Sequence, residues 1–444
     1  MPFTRRRLLA AAPALLTLPV GGYALARPAL DGLTLGLKPD VPGMGPALAR
    51  ALEEAARRGL PLFLPPGRYR VSGAELPDNA ALEGAPGLTR LSPDGDGPIL
   101  SARGRRRISL TGLTLEAGGG RRKAPSLLQV EDVALADVTG CEFLAGPSNG
   151  VQLTRSGGRF ERNRVAGMAD IGVFSLDAAR LALRDNVVEG CGANGVLVWR
   201  SQVGDDGTLV EGNRISRIRT DPGGTGENGN GIGLYRASNV IVRGNVIRDC
   251  ALSAIRNNGG SGVQMIGNSC QRLGEVAIYQ EFGFEGGVVA QNVVEEANTG
   301  ISITNLKEGG HAAACVGNVV RRIRRRAPPY SAQVAGGVGV GAEGDVAITC
   351  NVIEDAEHIG VLLGWGPYRR NLAASGNSIR RCPVGVGVSV IEGGGPVAIS
   401  GNTFSETPKG AVVGFDHERA VTGDLLRPGA NAPAGVRIEA NAAG

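Results

Sequence analysis

Gly244-Asn245-Val246-Ile247 and Gly267-Asn268-Ser269-Cys270 carry one phrase, and that phrase decides the fold. It returns as Gly212-Asn213-Arg214-Ile215, Gly317-Asn318-Val319-Val320, Gly376-Asn377-Ser378-Ile379 and Gly401-Asn402-Thr403-Phe404. Close variants centre on Asn163, Asn186, Asn292 and Asn351. From Asn163 to Asn402 the asparagines are separated by 23, 27, 32, 23, 24, 26, 33, 26 and 25 residues. Such a period marks a solenoid, whose repeats bury their apolar faces only against one another.

Leucine-rich repeats share the period, but their leucine phrase is absent, and no helix-length apolar pattern survives inside the unit. Short strand phrases follow the asparagines instead: Gly195-Val196-Leu197-Val198, Gly231-Ile232-Gly233-Leu234, Ala254-Ile255-Arg256, Ala277-Ile278-Tyr279, Gly300-Ile301-Ser302-Ile303 and Gly360-Val361-Leu362-Leu363. The pattern predicts an all-β, right-handed parallel β-helix of roughly a dozen coils, with strands stacked about 4.8 Å apart. Gly and Asn suit the bends because they tolerate positive φ. An inward Asn once per coil is satisfied by a ladder of amides, so the asparagines read as structure.

Upstream, Ala47, Leu48, Ala51, Leu52, Ala55 and Ala56 give residues 43–58 a helical stripe, with Pro46 at its start and Gly59 past its end. A helix there would cover the open end of the first coil. Next comes Leu64-Pro65-Pro66-Gly67-Arg68-Tyr69-Arg70-Val71-Ser72-Gly73. A helix followed by this segment resembles the opening of the pectate-lyase-like superfamily of β-helix proteins. That resemblance implies the fold and no particular activity. The expected organisation is 1–26 as a signal peptide, 27–72 as cap helix and first strands, 73–411 as β-helix repeats and 412–444 as a C-terminal cap or tail.

The first 26 residues read as an export signal: Thr4-Arg5-Arg6-Arg7-Leu8-Leu9, an apolar stretch through Val20, then Ala24-Leu25-Ala26 as a small-x-small cleavage site. The arginine pair before Leu-Leu resembles the twin-arginine signal, which implies the twin-arginine export machinery as a partner and a periplasmic or secreted protein. No other stretch is long and apolar enough to span a membrane. Signal plus repeat resembles the family of twin-arginine-translocated repeat proteins. That family's label is a cofactor-binding repeat, and the unknown cofactor it implies rests on the resemblance alone. The sequence holds no GxGxxG, GxxxxGK, CxxCH or iron–sulfur cysteine cluster, so no cofactor is expected from the residues.

Cleavage would remove three of the five net positive charges, 5 − 3 leaving +2, so charge does not argue for nucleic acid. The run from Arg321 to Arg326 reads as a solvated loop edge. Seven cysteines (141, 191, 250, 270, 315, 350 and 382) without a CxxC read as buried small hydrophobes. Three histidines, His311, His358 and His417, lie far from any second ligand at a familiar spacing, so no metal site is expected.

Strand alternation places Val196, Ile232, Ile255, Ile278 and Ile301 inward. The outward set is then Leu197 and Trp199, Gly233 and Tyr235, Arg256 and Asn258, Tyr279 and Glu281, Ser302 and Thr304, with Lys307 just beyond. Trp and Tyr faces beside Arg and carboxylates suit a polysaccharide, whose ring faces stack while its hydroxyls hydrogen-bond. Trp199, Tyr235, Asn258, Asp205 and Asp206 are the candidate substrate-binding residues; Arg256, Tyr279, Glu281 and Lys307 are the candidate catalytic ones. A lyase or epimerase would use Arg256 as the cation, with Tyr279 or Lys307 beside it. A hydrolase would pair Glu281 with Asp205 or Asp206. Glu275, His358 and Asp170 stand at turns leading into strands and would rim the same groove. Insertions at residues 220–230 and 321–337 are expected to border it. The alternatives are a non-catalytic binding or envelope-structural β-helix, and the cofactor carrier that the family label implies.

Overall fold

The computed structural model describes residues 28–118, 123–178 and 180–444. The expected signal segment lies outside them. The chain forms a parallel β-helix whose coils contribute one strand to each of three sheets, of 16, 15 and 15 strands. Strands such as Ile241–Arg243 build the first face, Val246–Cys250 the second and Ile255–Asn258 the third. The coils outnumber the expected dozen, and a last one after Asn402 stacks as well.

The asparagine column is a continuous hydrogen-bonded ladder at the bend between first and second faces. From Asn186 on, each Asn Oδ1 accepts both the backbone N–H and the side-chain Nδ2–H of the Asn one coil earlier. Asn245 donates in this way to Asn268 (3.0 and 3.0 Å), and Asn268 to Asn292 (2.9 and 3.0 Å). The remaining Nδ2 proton goes to a backbone carbonyl, Val242 for Asn268 at 3.0 Å. Ladder asparagines are almost completely buried, and this saturation makes a polar column tolerable beside an aliphatic core.

The residue before each Asn is left-handed. Gly212, Gly244, Gly267, Gly317, Gly376 and Gly401 have φ of 63–67°. The variant repeats place Arg162, Asp185, Gln291 and Cys350 in the same conformation (φ 53–57°). Cys350 is therefore exposed at a corner, unlike the other six cysteines, which are buried as expected.

Helix α1 (Gly45–Arg58) buries Leu48, Ala51, Leu52 and Ala55 against the first coils. At the other end the boundary expected at 411 falls inside the strand Gly410–Asp416. That strand turns back into Arg419–Asp424 as an antiparallel hairpin. Val436–Glu439 then rejoins the first sheet, and Asn441 extends the ladder, accepting from Asn402 at 3.0 and 2.9 Å. The tail is thus hairpin cap plus one more coil. Among the described residues no helix is long and apolar enough to cross a membrane.

Candidate functional site

Parallel stacking puts the third-face strands in a common register. Val196, Ile232, Ile255, Ile278 and Ile301 align as one inward column. Trp199, Tyr235, Asn258 and Glu281 align as one outward column, and Leu197, Gly233, Arg256, Tyr279 and Ser302 as the other. The Trp199 and Tyr235 rings stack tilted, centroids 4.2 Å apart, and Arg236 lies over Tyr235 at 4.8 Å.

Arg256 is the hub. Its Nε donates to Glu281 Oε1 at 2.6 Å, Nη2 to Glu281 Oε2 at 3.1 Å and Nη1 to Glu275 Oε2 at 3.3 Å. The guanidinium also sits over the Tyr279 ring, 5.0 Å from its centroid. Asn258 Nδ2 donates to Glu281 at 3.4 Å. The Arg256, Glu281 and Glu275 side chains are 12%, 3% and 8% exposed, so solvent screens this cluster little. Burial raises the Glu281 carboxyl above the usual range against the opposing pull of Arg256. Burial, with the nearby Glu281 charge, pushes Tyr279 up to about 12.

Both insertions fold over this face. Asn194 Nδ2 holds the first by the Glu227 carbonyl (2.9 Å). Thr225, Gly226 and Glu227 then join Trp199, Tyr235 and Arg256 around a cavity of about 390 Å³, with Asn258 and Phe282 in its wall. Gly226 is required there: a Cβ would stand 1.8 Å from Arg256 Nη1. Asn298 anchors the second insertion through the Arg326 and Ala335 carbonyls (2.6 and 2.8 Å). Its tip returns Tyr330, whose hydroxyl donates to Glu275. Local patterns could not show this contact, because it spans 55 positions of sequence.

Other candidates lie elsewhere. Asp205 ends the strand Val196–Asp205, is exposed, and accepts from Asn239 at 2.7 Å. Asp206 is buried at the next bend beside Arg200 (3.7 Å), and burial raises its pKa. Neither lines the cavity, because the chain bulges between Trp199 and Gly204 and carries them to the far corner. The carboxylate brought to Glu281's partner is Glu275 instead. Lys307 is exposed on the short helix Leu306–Glu308. Asp170 is half-buried, with its pKa raised by burial. His358 lines a second cavity. The arginine run is engaged by acids of neighbouring coils: Arg321 and Arg322 pair with Glu295, and Arg324 with Asp355.

The model of a family described as periplasmic copper-binding protein (NosD) matches residues 124–281, 158 of the 444. That segment has no histidine. Its cysteines 141, 191, 250 and 270 are buried, and burial pushes their thiols up, to about 11 in Cys141 and about 12 in Cys191 and Cys270. Its methionines Met168 and Met265 are core residues. Among the described residues no group of three or more His, Cys, Asp or Glu is placed to hold a metal ion. These donors do not fit copper.

No curated protein matches the sequence. Among solved structures, the N-terminal fragment of bacteriophage phi29 gene product 12 aligns with a TM-score of 0.54 at 16% identity, over 86% of this chain and 68% of that one. The catalytic unit of a GH87 α-1,3-glucanase from Streptomyces thermodiastaticus gives 0.46 at 16%, over 96% and 69%. The A-module of the mannuronan C-5 epimerase AlgE6 of Azotobacter vinelandii gives 0.39 at 17%, over 94% and 99%. At these identities the likeness is one of fold, a parallel β-helix.

Proposed function

We propose that this is an exported glycan-binding β-helix whose third face takes up an extracytoplasmic polysaccharide. The observation that carries the reading is the 390 Å³ cavity in which the stacked Trp199 and Tyr235 rings meet Arg256 and Asn258. Aromatic faces bind the apolar faces of sugar rings, and fixed polar groups beside them take the hydroxyls. Arg256 is held in one orientation by two glutamates, which lowers the ordering cost of binding. The signal-like N-terminus and the family match to a periplasmic protein support an extracytoplasmic setting. Twin-arginine export is the corresponding route.

The residues named for catalysis suit recognition better than turnover. Proton abstraction needs a base beside the cation. Tyr279, at about 12, keeps its proton at neutral pH, and Lys307 lies on an exposed turn. Glu275 and Glu281 are both committed to Arg256 and lie behind it. Binding of neutral and acidic polysaccharides to the full chain, with reducing ends and the ultraviolet absorbance of unsaturated uronates followed in parallel, tests the proposal. Binding that weakens at least about tenfold in Trp199→Ala is expected, without either product signal. Equal binding by wild type and variant, or no binding to any glycan, would sink it. Unsaturated uronates would replace it with a lyase.

A further inference from the structure

On the far side of Tyr279 the same face holds a second cavity, of about 410 Å³. Arg325, Glu343, His358, Trp365 and His417 line it. Three observations set it apart from a solvated hollow.

Arg325 is uncommitted. Its neighbours Arg321, Arg322 and Arg324 all have carboxylate partners, and Arg326 donates to the Leu273 and Glu296 carbonyls. Among the described residues no carboxylate pairs with the half-buried Arg325 guanidinium; its acid contact is a backbone N–H to Glu357 at 2.7 Å. Arg325 thus lines this cavity with a side chain that has neither a carboxylate partner nor a hydrogen bond among the described residues.

The His358 ring is likewise without a hydrogen-bond partner among the described residues, and sits edge-on to Phe415 at 6.0 Å. Burial, then the charges of Arg325 and Lys409, hold its pKa below the usual histidine value. At neutral pH it offers one donor and one acceptor. Trp365 is 37% exposed and meets His417 in a T-shaped contact, ring centroids 5.5 Å apart. Glu343 is spoken for, accepting the Leu306 N–H at 2.9 Å, and burial raises its pKa.

We infer that this cavity is a second sugar subsite that selects a carboxylate-bearing residue, a uronic acid. Arg325 receives the carboxylate, His358 bonds a hydroxyl and Trp365 stacks a ring face. The inference rests on the proposed polysaccharide reading and adds the charge class of the glycan. Five coil steps separate the Gly233 and Leu362 rows, about 24 Å at strand spacing, the reach of a short oligosaccharide. Tyr279 borders the second cavity and underlies Arg256 of the first, so one chain would lie across both.

The two tryptophans make the test separable, since each lines one cavity. In Trp199→Phe, Trp365 is the sole indole and reports on the second cavity alone. The probes are an oligogalacturonate and its carboxyl-reduced counterpart, titrated by fluorescence and calorimetry. Expected is a Trp365 signal with the acidic probe, and at least about tenfold weaker acidic binding in Arg325→Gln with the reduced probe unaffected. Equal affinity of wild type for the two probes would overturn the uronate subsite while leaving glycan binding intact. So would an unchanged acidic affinity in Arg325→Gln, with a melting temperature matching wild type. Failure of both probes on wild type would overturn the subsite together with the reading beneath it.

Discussion

Replacing Arg256 with Met tests whether the cluster behind the first cavity is a buried charge system. The substitution keeps most of the side-chain volume and removes the cation. Glu281, with both oxygens on Arg256 at 2.6 and 3.1 Å, and Glu275, at 3.3 Å, would lose the positive charge between them. Stranding a buried partner in this way costs about 3–5 kcal/mol. With an unfolding entropy of ~2.1 cal/mol/K per residue, a chain of roughly 400 residues loses ~1 °C of Tm per kcal/mol. A fall of about 4–6 °C is therefore expected at pH 8.

The loss depends on pH, and its direction follows from linkage. The folded Glu281 carboxyl already titrates above its unfolded value because it is buried. A group of this kind favours folding below the unfolded pKa, and that contribution is lost as pH rises through the folded pKa. Removing Arg256 removes the attraction that opposes burial, so the folded pKa rises further and the loss deepens on the alkaline side. On lowering the pH to 5 the Glu281 carboxyl, its pKa raised further by the loss of Arg256, is neutralised more readily, and the gap between variant and wild type should shrink to about 2 °C, the share of lost hydrogen bonds and packing. Scanning calorimetry of both proteins at the two pH values measures it. A gap that is equal at both, or absent at pH 8, would refute the buried-charge argument.

Asn268→Ala removes four ladder hydrogen bonds and strands buried donors, at a cost of about 3–5 kcal/mol; a Tm within ~1 °C of wild type would contradict the ladder's role. Cys350→Gly relieves a left-handed corner (φ 55°) and should raise stability by about 1 kcal/mol, seen as a Tm increase of ~1 °C; a decrease would speak against strain there. Gly226→Ala puts a methyl 1.8 Å from Arg256 Nη1 and forces that side chain to shift, so glycan affinity should fall about tenfold in a titration. Retained affinity would mean that Arg256 does not meet the glycan.

The repeat and the third-face register were legible because both are periodic: one Asn per coil, and alternation that put Trp199 beside Tyr235 and Arg256 beside Glu281. The burial of Glu281 was not legible. It reads as an outward surface residue until the insertions close over the face, and insertions leave no period. Tyr330, Glu343 and Trp365 sit at bends and loop tips, where the rule that alternate residues face out does not apply. Asn441 escaped for a related reason. The terminal hairpin stretches its interval from Asn402 to 39 residues, beyond the 23 to 33 of the others. Asp205 and Asp206 were misplaced because a bulge after Trp199 resets the count along the strand.

The ladder also governs how such a protein can change length. Every asparagine spends its Oδ1 on the coil before it and takes its own acceptor from the coil after it, so any two rungs are interchangeable. Removing a whole coil, such as residues 245–267, would bring Asn268 to the place of Asn245, next to Asn213, with donors and acceptors matched. Removing half a coil would leave an amide facing an aliphatic neighbour. Gain and loss are thereby quantised in single coils, while α1 and the C-terminal hairpin close whatever number lies between them. The length of the third face is adjustable in steps of one strand spacing, and its ends need no redesign.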